Sequence, residues 1–131
     1  MGPHKNLTVW KKSKELVKLI YQATAKYPKS ELLGLVSQMR RCAVSVPSNI
    51  AEGYGRGSNT DLVHFLRFAR GSVNELDTQI SISRELSFID EETANALEEL
   101  DEEVLKMLNS LIYKRTHNDP LSDDPNNLKT S

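Results

Sequence analysis

Three glycines around an arginine are the first place in this 131-residue sequence where chemistry could sit. In "SVPSNIAEGYGRGSNTD", Ser45 to Asp61, the glycines Gly53, Gly55 and Gly57 surround Arg56, and a helix-start pattern follows from Ser58 to Asp61. Backbone N–H groups at a capped helix start, with an arginine nearby, can hold a phosphate. A nucleotide-binding Walker loop, however, needs G-x-x-x-x-G-K-[ST] after a strand. Here the glycines are spaced by two, no Lys-Ser/Thr follows, and the preceding segment reads as helix. A dinucleotide fingerprint fails for want of a feeding strand. The stretch is expected to be a corner between two helices, its glycines supplying positive-φ positions and close packing.

Other groups offer no better foothold for catalysis. His4, His64 and His117 are isolated, with no H-x-x-x-H pair and no Cys/His cluster to hold a metal. Cys42 falls at an apolar position, where packing is its expected role rather than nucleophilic work. Glu98, Glu99, Asp101, Glu102 and Glu103 read as a solvated acidic face. A di-metal bundle would need Glu-x-x-His on two helices, and neither is present. The expectation is a protein that is not an enzyme and needs no cofactor or metal.

The elements that must position these residues are all helical. Apolar residues recur at steps of three and four almost throughout, and β-branched runs are scarce. A first helix is predicted over about 7–27, with Val9, Leu16, Leu19, Ile20, Ala23 and Tyr27 on one stripe. Pro28 ends it, and Ser30 is placed to cap the next. A second helix, about 31–55, carries Leu32, Leu35, Met39, Cys42, Val46 and Ile50 along a bundle seam, with a kink expected near Pro47. A third, about 60–86, repeats the seam with Leu62, Leu66, Ala69, Val73, Leu76 and Ile80, its start capped by Ser58. A fourth, about 91–115, follows an Asp90 cap with Leu97, Leu100, Val104, Met107 and Leu111. The fold class is therefore all-α, an up-down-up-down antiparallel four-helix bundle over residues 1–115. Residues 116–131, with two prolines and almost no apolar content, read as a flexible tail.

Polar residues run beside the seams. Gln38, Arg41, Ser45, Asn49 and Glu52 recur along the second helix, and Arg67, Arg70, Asn74 and Asp77 along the third, next to Gly71, Ser72 and Glu75. Small Gly71 and Ser72 would let the helices approach, and Arg41 or Arg70 could then pair with Glu52 or Glu75 across the contact. Such a network fixes register more surely than it stabilises. The other reading is that some of these arginines face outward and contact phosphates.

Charge is unevenly placed. Residues 1–60 hold ten Lys/Arg against three Asp/Glu, and residues 91–131 hold four against ten, within a net charge of −1. A basic half suits an anionic partner such as nucleic acid; it equally suits an acidic helix within the chain or on a neighbour. No run of about 18 apolar residues is present, so no membrane span is expected. A lone cysteine and the absence of a visible secretory signal favour a cytoplasmic location.

Two stretches are recognisable. "QMRRCAVSVPSNIAEGYGR", Gln38 to Arg56, and "FLRFARGSVNELDTQI", Phe65 to Ile80, resemble the four-helix-bundle proteins encoded by intervening sequences in bacterial 23S rRNA genes. The opening "LTVWKKSKELVKLIYQAT" and "YPKSELLGL" are similar too, so the resemblance covers about residues 7 to 115. Cys42 stands where that family commonly has Ala, and His64 where it often has Arg. The resemblance implies an up-and-down bundle without established enzymatic activity and a ring-like homopentamer. It is also similar to accessory variability proteins of diversity-generating retroelements, which bind nucleic acid through basic surfaces. By their charge, Lys11, Lys12, Lys14, Lys18, Arg40, Arg41 and Arg56 are then the candidate contacts for RNA or DNA. The competing expectation is a protein–protein module whose basic first helix meets the acidic fourth helix of another subunit.

Overall fold

The structure is a computed structural model, and it describes residues 2–117. Among the described residues there are four long helices and no strand. They are α1 (Thr8–Thr24), α2 (Ser37–Gly55), α3 (Asn59–Glu85) and α4 (Glu91–His117). Each packs on its neighbours in the chain, and α1 closes the bundle against α4, which leaves α1 and α3 across from one another. The end of each helix meets the start of the next. Arg40 of α2 donates to Thr24 Oγ1 of α1 (3.0 Å), and Gly53 of α2 lies against Leu62 and Phe65 of α3. Asn59 at the start of α3 donates to the carbonyl of Arg115 near the end of α4 (3.1 Å).

Local chemistry sets the helix ends. Ser58 Oγ accepts from the Asp61 N–H (3.1 Å), and Asp90 Oδ1 from the Thr93 N–H (2.7 Å), each satisfying a donor that a helix start leaves open. The second cap holds the Asp90 carboxyl below the usual carboxylate range. The α3–α4 turn is locked by Arg84, whose Nη1 and Nη2 fork onto the two oxygens of Glu98 at 2.6 Å each. A bidentate pair of this kind is stronger and more directional than a single contact.

The second segment departs from expectation. Ser30 does not cap it; Lys29–Glu31 is a 3-10 turn, and Leu32–Val36 a single π turn before α2 begins at Ser37. Glu31 Oε1 accepts the Leu35 N–H instead (3.4 Å). The backbone leaves the helical region at Gly34 (φ −106°, ψ −110°), which re-aims what precedes it. Leu32, expected on the seam, is therefore 57% exposed, and Leu33 is 93% exposed. Helix α2 runs on through Pro47, which is buried, and a bend of the kind expected there would leave the helix continuous. Helix α4 runs two residues past its expected end; the expected tail from 118 onward lies outside the described residues.

The glycine corner divides its labour. Gly57 has φ +89°, a conformation that a Cβ disfavours. Gly53 is buried at the α2–α3 contact, where a Cβ would stand 3.0 Å from Phe65 Cβ and 3.3 Å from the Leu62 carbonyl oxygen. Gly55 has open space around it. Gly71, expected to admit a close helix approach, also faces open space and is exposed. Gly53→Ala is expected to lower stability by about 1–3 kcal/mol through overpacking against backbone. Gly57→Ala should cost about 1–2 kcal/mol in strain, whereas Gly55→Ala should be neutral or stabilising by up to about 1 kcal/mol. Urea denaturation of the three variants checks this ranking.

Candidate nucleic-acid interface

The seven basic candidates do not gather on one face. On α1, Lys11, Lys14 and Lys18 are exposed, and their steps of three and four place them in one row along the helix. Lys14 Nζ sits 3.8 Å from the centroid of the Trp10 ring, with its charge still open to solvent. Lys12 faces sideways and pairs with Glu103 of α4 at 2.8 Å, a contact that raises its pKa. Arg40 is built into the α1–α2 junction. It stacks on Tyr21 at 4.6 Å, donates to the Tyr21 carbonyl (3.4 Å) and holds Thr24. Arg41 is exposed on the α2–α3 side and donates to Ser37 Oγ (3.5 Å). Arg56 is at the glycine corner, paired with Glu52 (2.7 Å) and lying over the Phe65 ring (4.9 Å).

The expected polar network is partly assembled. Ser45 of α2 and Ser72 of α3 share a 2.6 Å hydrogen bond, and the single S–H of Cys42 is shared between the Ser72 carbonyl (3.0 Å) and Glu75 Oε2 (3.4 Å). Asn49 Nδ2 donates to the Ser45 carbonyl (2.8 Å). The expected cross-helix ion pairs are not formed. Arg70 turns to Asn109 of α4 (3.2 Å), Glu52 to Arg56 on its own helix, and Arg41 to Ser37. Gln38 is exposed, and no hydrogen bond of its side chain is found among the described residues. Hydroxyls and a thiol make the α2–α3 contact instead, and Glu75 accepts from the Cys42 thiol rather than pairing with an arginine. Burial pushes the Cys42 thiol up to about 12, and Glu75 adds to the effect, so it is a packing group rather than a nucleophile.

One group was misplaced by sequence reasoning. Asp101, expected on the solvated acidic face, is 2% exposed. It lies four residues after Leu97 and three before Val104, on the seam itself, and that spacing was the available signal. Its neighbours along the seam divide between two apolar clusters. One holds Leu16, Ile20, Met39, Leu76 and Leu97; the other holds Val9, Ile50, Leu66, Val104 and Leu108. Ser13 of α1, fully buried, occupies the equivalent break between Val9 and Leu16 and donates to the Trp10 carbonyl (2.8 Å). Asp101 Oδ1 has no hydrogen-bond partner. Burial, reinforced by Asp77 and Glu98, pushes its carboxyl up to about 8.

The sequence pattern of the 23S rRNA-intervening sequence proteins matches residues 5–110. The chain belongs to that family. No curated protein matches the sequence. Among solved structures, the chain is similar to a protein of unknown function from the S23 ribosomal protein family of Bacteroides thetaiotaomicron. That likeness has a TM-score of 0.73 at 23% identity, over 80% of this chain and 98% of the other, and it extends to the fold. Among the described residues of this 23S rRNA-intervening sequence protein, no helix is long and apolar enough to cross a membrane.

The sign of the Asp101 effect is fixed by its direction. A carboxyl whose folded pKa is raised keeps its proton in the folded chain after the unfolded chain has lost it. Its contribution is complete below the ordinary carboxylate range and is lost as pH rises through about 8. Asp101→Asn is expected to flatten the fall in stability between about pH 4 and 8, with a gain of about 1–3 kcal/mol at the alkaline end. Urea unfolding across pH reads both.

Proposed function

We propose that this protein is a non-enzymatic scaffold or adaptor that assembles with copies of itself and holds nucleic acid, RNA or DNA, on the outer face of α1. The observation that carries the reading is the row Lys11, Lys14 and Lys18. All three are exposed, and none is in an ion pair among the described residues, while Lys12 is held by Glu103 of α4 at 2.8 Å and Arg56 carries an exposed pair with Glu52 at 2.7 Å. Ammonium groups in a row suit the regular charge of a phosphate backbone and carry no sequence information. The non-enzymatic part is supported by the glycine corner, where Gly53 and Gly57 have packing and turn roles that account for their presence.

The second reading is a protein–protein module with no nucleic-acid role. Exposed Leu32 and Leu33 beside Tyr21, at the π turn, favour it. Its original form, a basic helix meeting an acidic helix of another subunit, is opposed by the Lys12–Glu103 bridge, which pairs those helices within one chain.

Fluorescence anisotropy with a labelled RNA hairpin and a DNA duplex separates the two. Three phosphate contacts predict roughly a 40-fold loss of affinity between about 50 and 200 mM salt. The triple change Lys11→Glu, Lys14→Glu, Lys18→Glu should abolish binding of the DNA duplex without altering the sedimentation coefficient. Absence of binding at about 50 mM salt would remove the nucleic-acid reading and leave the protein–protein one.

A further inference from the structure

A second surface lies across the bundle from the α1 lysines, at the α2–α3 corner. The Arg56 guanidinium lies over Phe65 at 4.9 Å, the Phe65 and Phe68 rings are 5.9 Å apart, and Phe68 meets the edge of His64 at 4.5 Å. Arg67, exposed on the next outward position, lines a polar hollow together with His64. Phe68 is 51% exposed, although the bundle holds apolar residues of similar size at 0%. The core does not use this ring. A row of cation, ring, ring and imidazole is thus linked by direct contact, and Arg67 stands beyond it, on the far side of His64 from Phe65.

We infer that this corner is a stacking platform for a single-stranded nucleic-acid segment, with Phe68 taking a base, Phe65 backing it, and Arg56 and Arg67 taking phosphates. The inference rests on the nucleic-acid reading above and names the form of nucleic acid. Single strands are bound where exposed aromatic rings alternate with cations, because every base has a π face and every linkage a charge. A duplex keeps its bases stacked internally and offers these rings nothing. The acidic groups nearby are Glu52, in an exposed pair with Arg56, and Asp61, half-buried in the same hollow as Arg67. An exposed pair of the first kind is weak and yields to phosphate. A protein partner fits this surface less well: the exposed aliphatic residues Leu32 and Leu33 are at the far end of α2, and the corner itself alternates charge with ring. Base stacking does not read the sugar, so RNA and DNA strands should bind alike.

The test uses the full chain with labelled oligo(U), oligo(dT) and a DNA duplex, read by anisotropy. Wild type is expected to bind the two single strands within about threefold of each other and more tightly than duplex. Phe68→Ala should weaken single-strand binding about tenfold or more and reduce the single-strand preference. Phe68→Trp, which keeps a ring, should restore both. Because Phe68 is half outside the core, circular dichroism and the melting temperature are expected to change little in either variant. If Phe68→Ala leaves single-strand affinity unchanged while duplex still binds, the stacking inference fails and the lysine reading stands. If neither form of nucleic acid binds wild type, both fail together. If Phe68→Ala instead dissociates an assembly in sedimentation, the face belongs to a second copy of the chain, and the inference is overturned.

Discussion

The bundle depends on how closely α2 can come to α3. At Gly53 nothing but hydrogen separates one helix backbone from Leu62 and Phe65 of the other. Further along, a serine pair and a thiol–carbonyl hydrogen bond continue the approach at 2.6 and 3.0 Å. Small groups are required at each of these levels, and any larger one would wedge the pair apart. Other features follow from that approach. It forces the chain to reverse within a few residues, which a positive-φ Gly57 allows, and it leaves Phe68 outside the core, 51% exposed.

The core itself is not continuous. Two apolar clusters are divided at the level where α1 contributes Ser13 and α4 contributes Asp101, both on seam positions. A buried carboxyl with one oxygen unpartnered costs stability, and two further acids in its field add to the cost. Its physical return is discrimination: a helix slid by one turn would put the carboxyl into an apolar cluster, so the polar level specifies register. The same acidic helix neutralises Lys12 through Glu103, which makes the charge asymmetry of the sequence partly an internal matter.

Much of this was legible in advance. Seam residues such as Leu66, Val73, Leu76 and Val104 are fully or almost fully buried, and Ser58 and Asp90 cap where their spacing places them. What escaped depends on three-dimensional context. Leu32 satisfies the seam period, but one non-helical residue, Gly34, rotates it into solvent. Asp101 sits among five acids within six residues, and composition outweighed the period that marks it as inward. Arg41 and Arg70 have the chemistry to bridge α2 and α3, yet Arg41 turns to Ser37 on its own helix and Arg70 to Asn109 of α4. The basic candidates share only their charge, and charge says nothing about facing: the structure spreads them from the outer row of α1 to the α1–α4 bridge, the α1–α2 junction and the α2–α3 side.

Cys42 adds a last consequence. Its sulfur bridges the α2–α3 contact with hydrogen bonds to Ser72 and Glu75, and its proton is held far more tightly than that of a solvated thiol. Alkylating and disulfide reagents attack the thiolate, so the closed bundle shields this sulfur both sterically and chemically. As Cys42 is the sole cysteine in the sequence, its modification reports one event: the momentary parting of these two helices. The native chain thereby carries its own clock for the breathing of the contact on which its architecture rests.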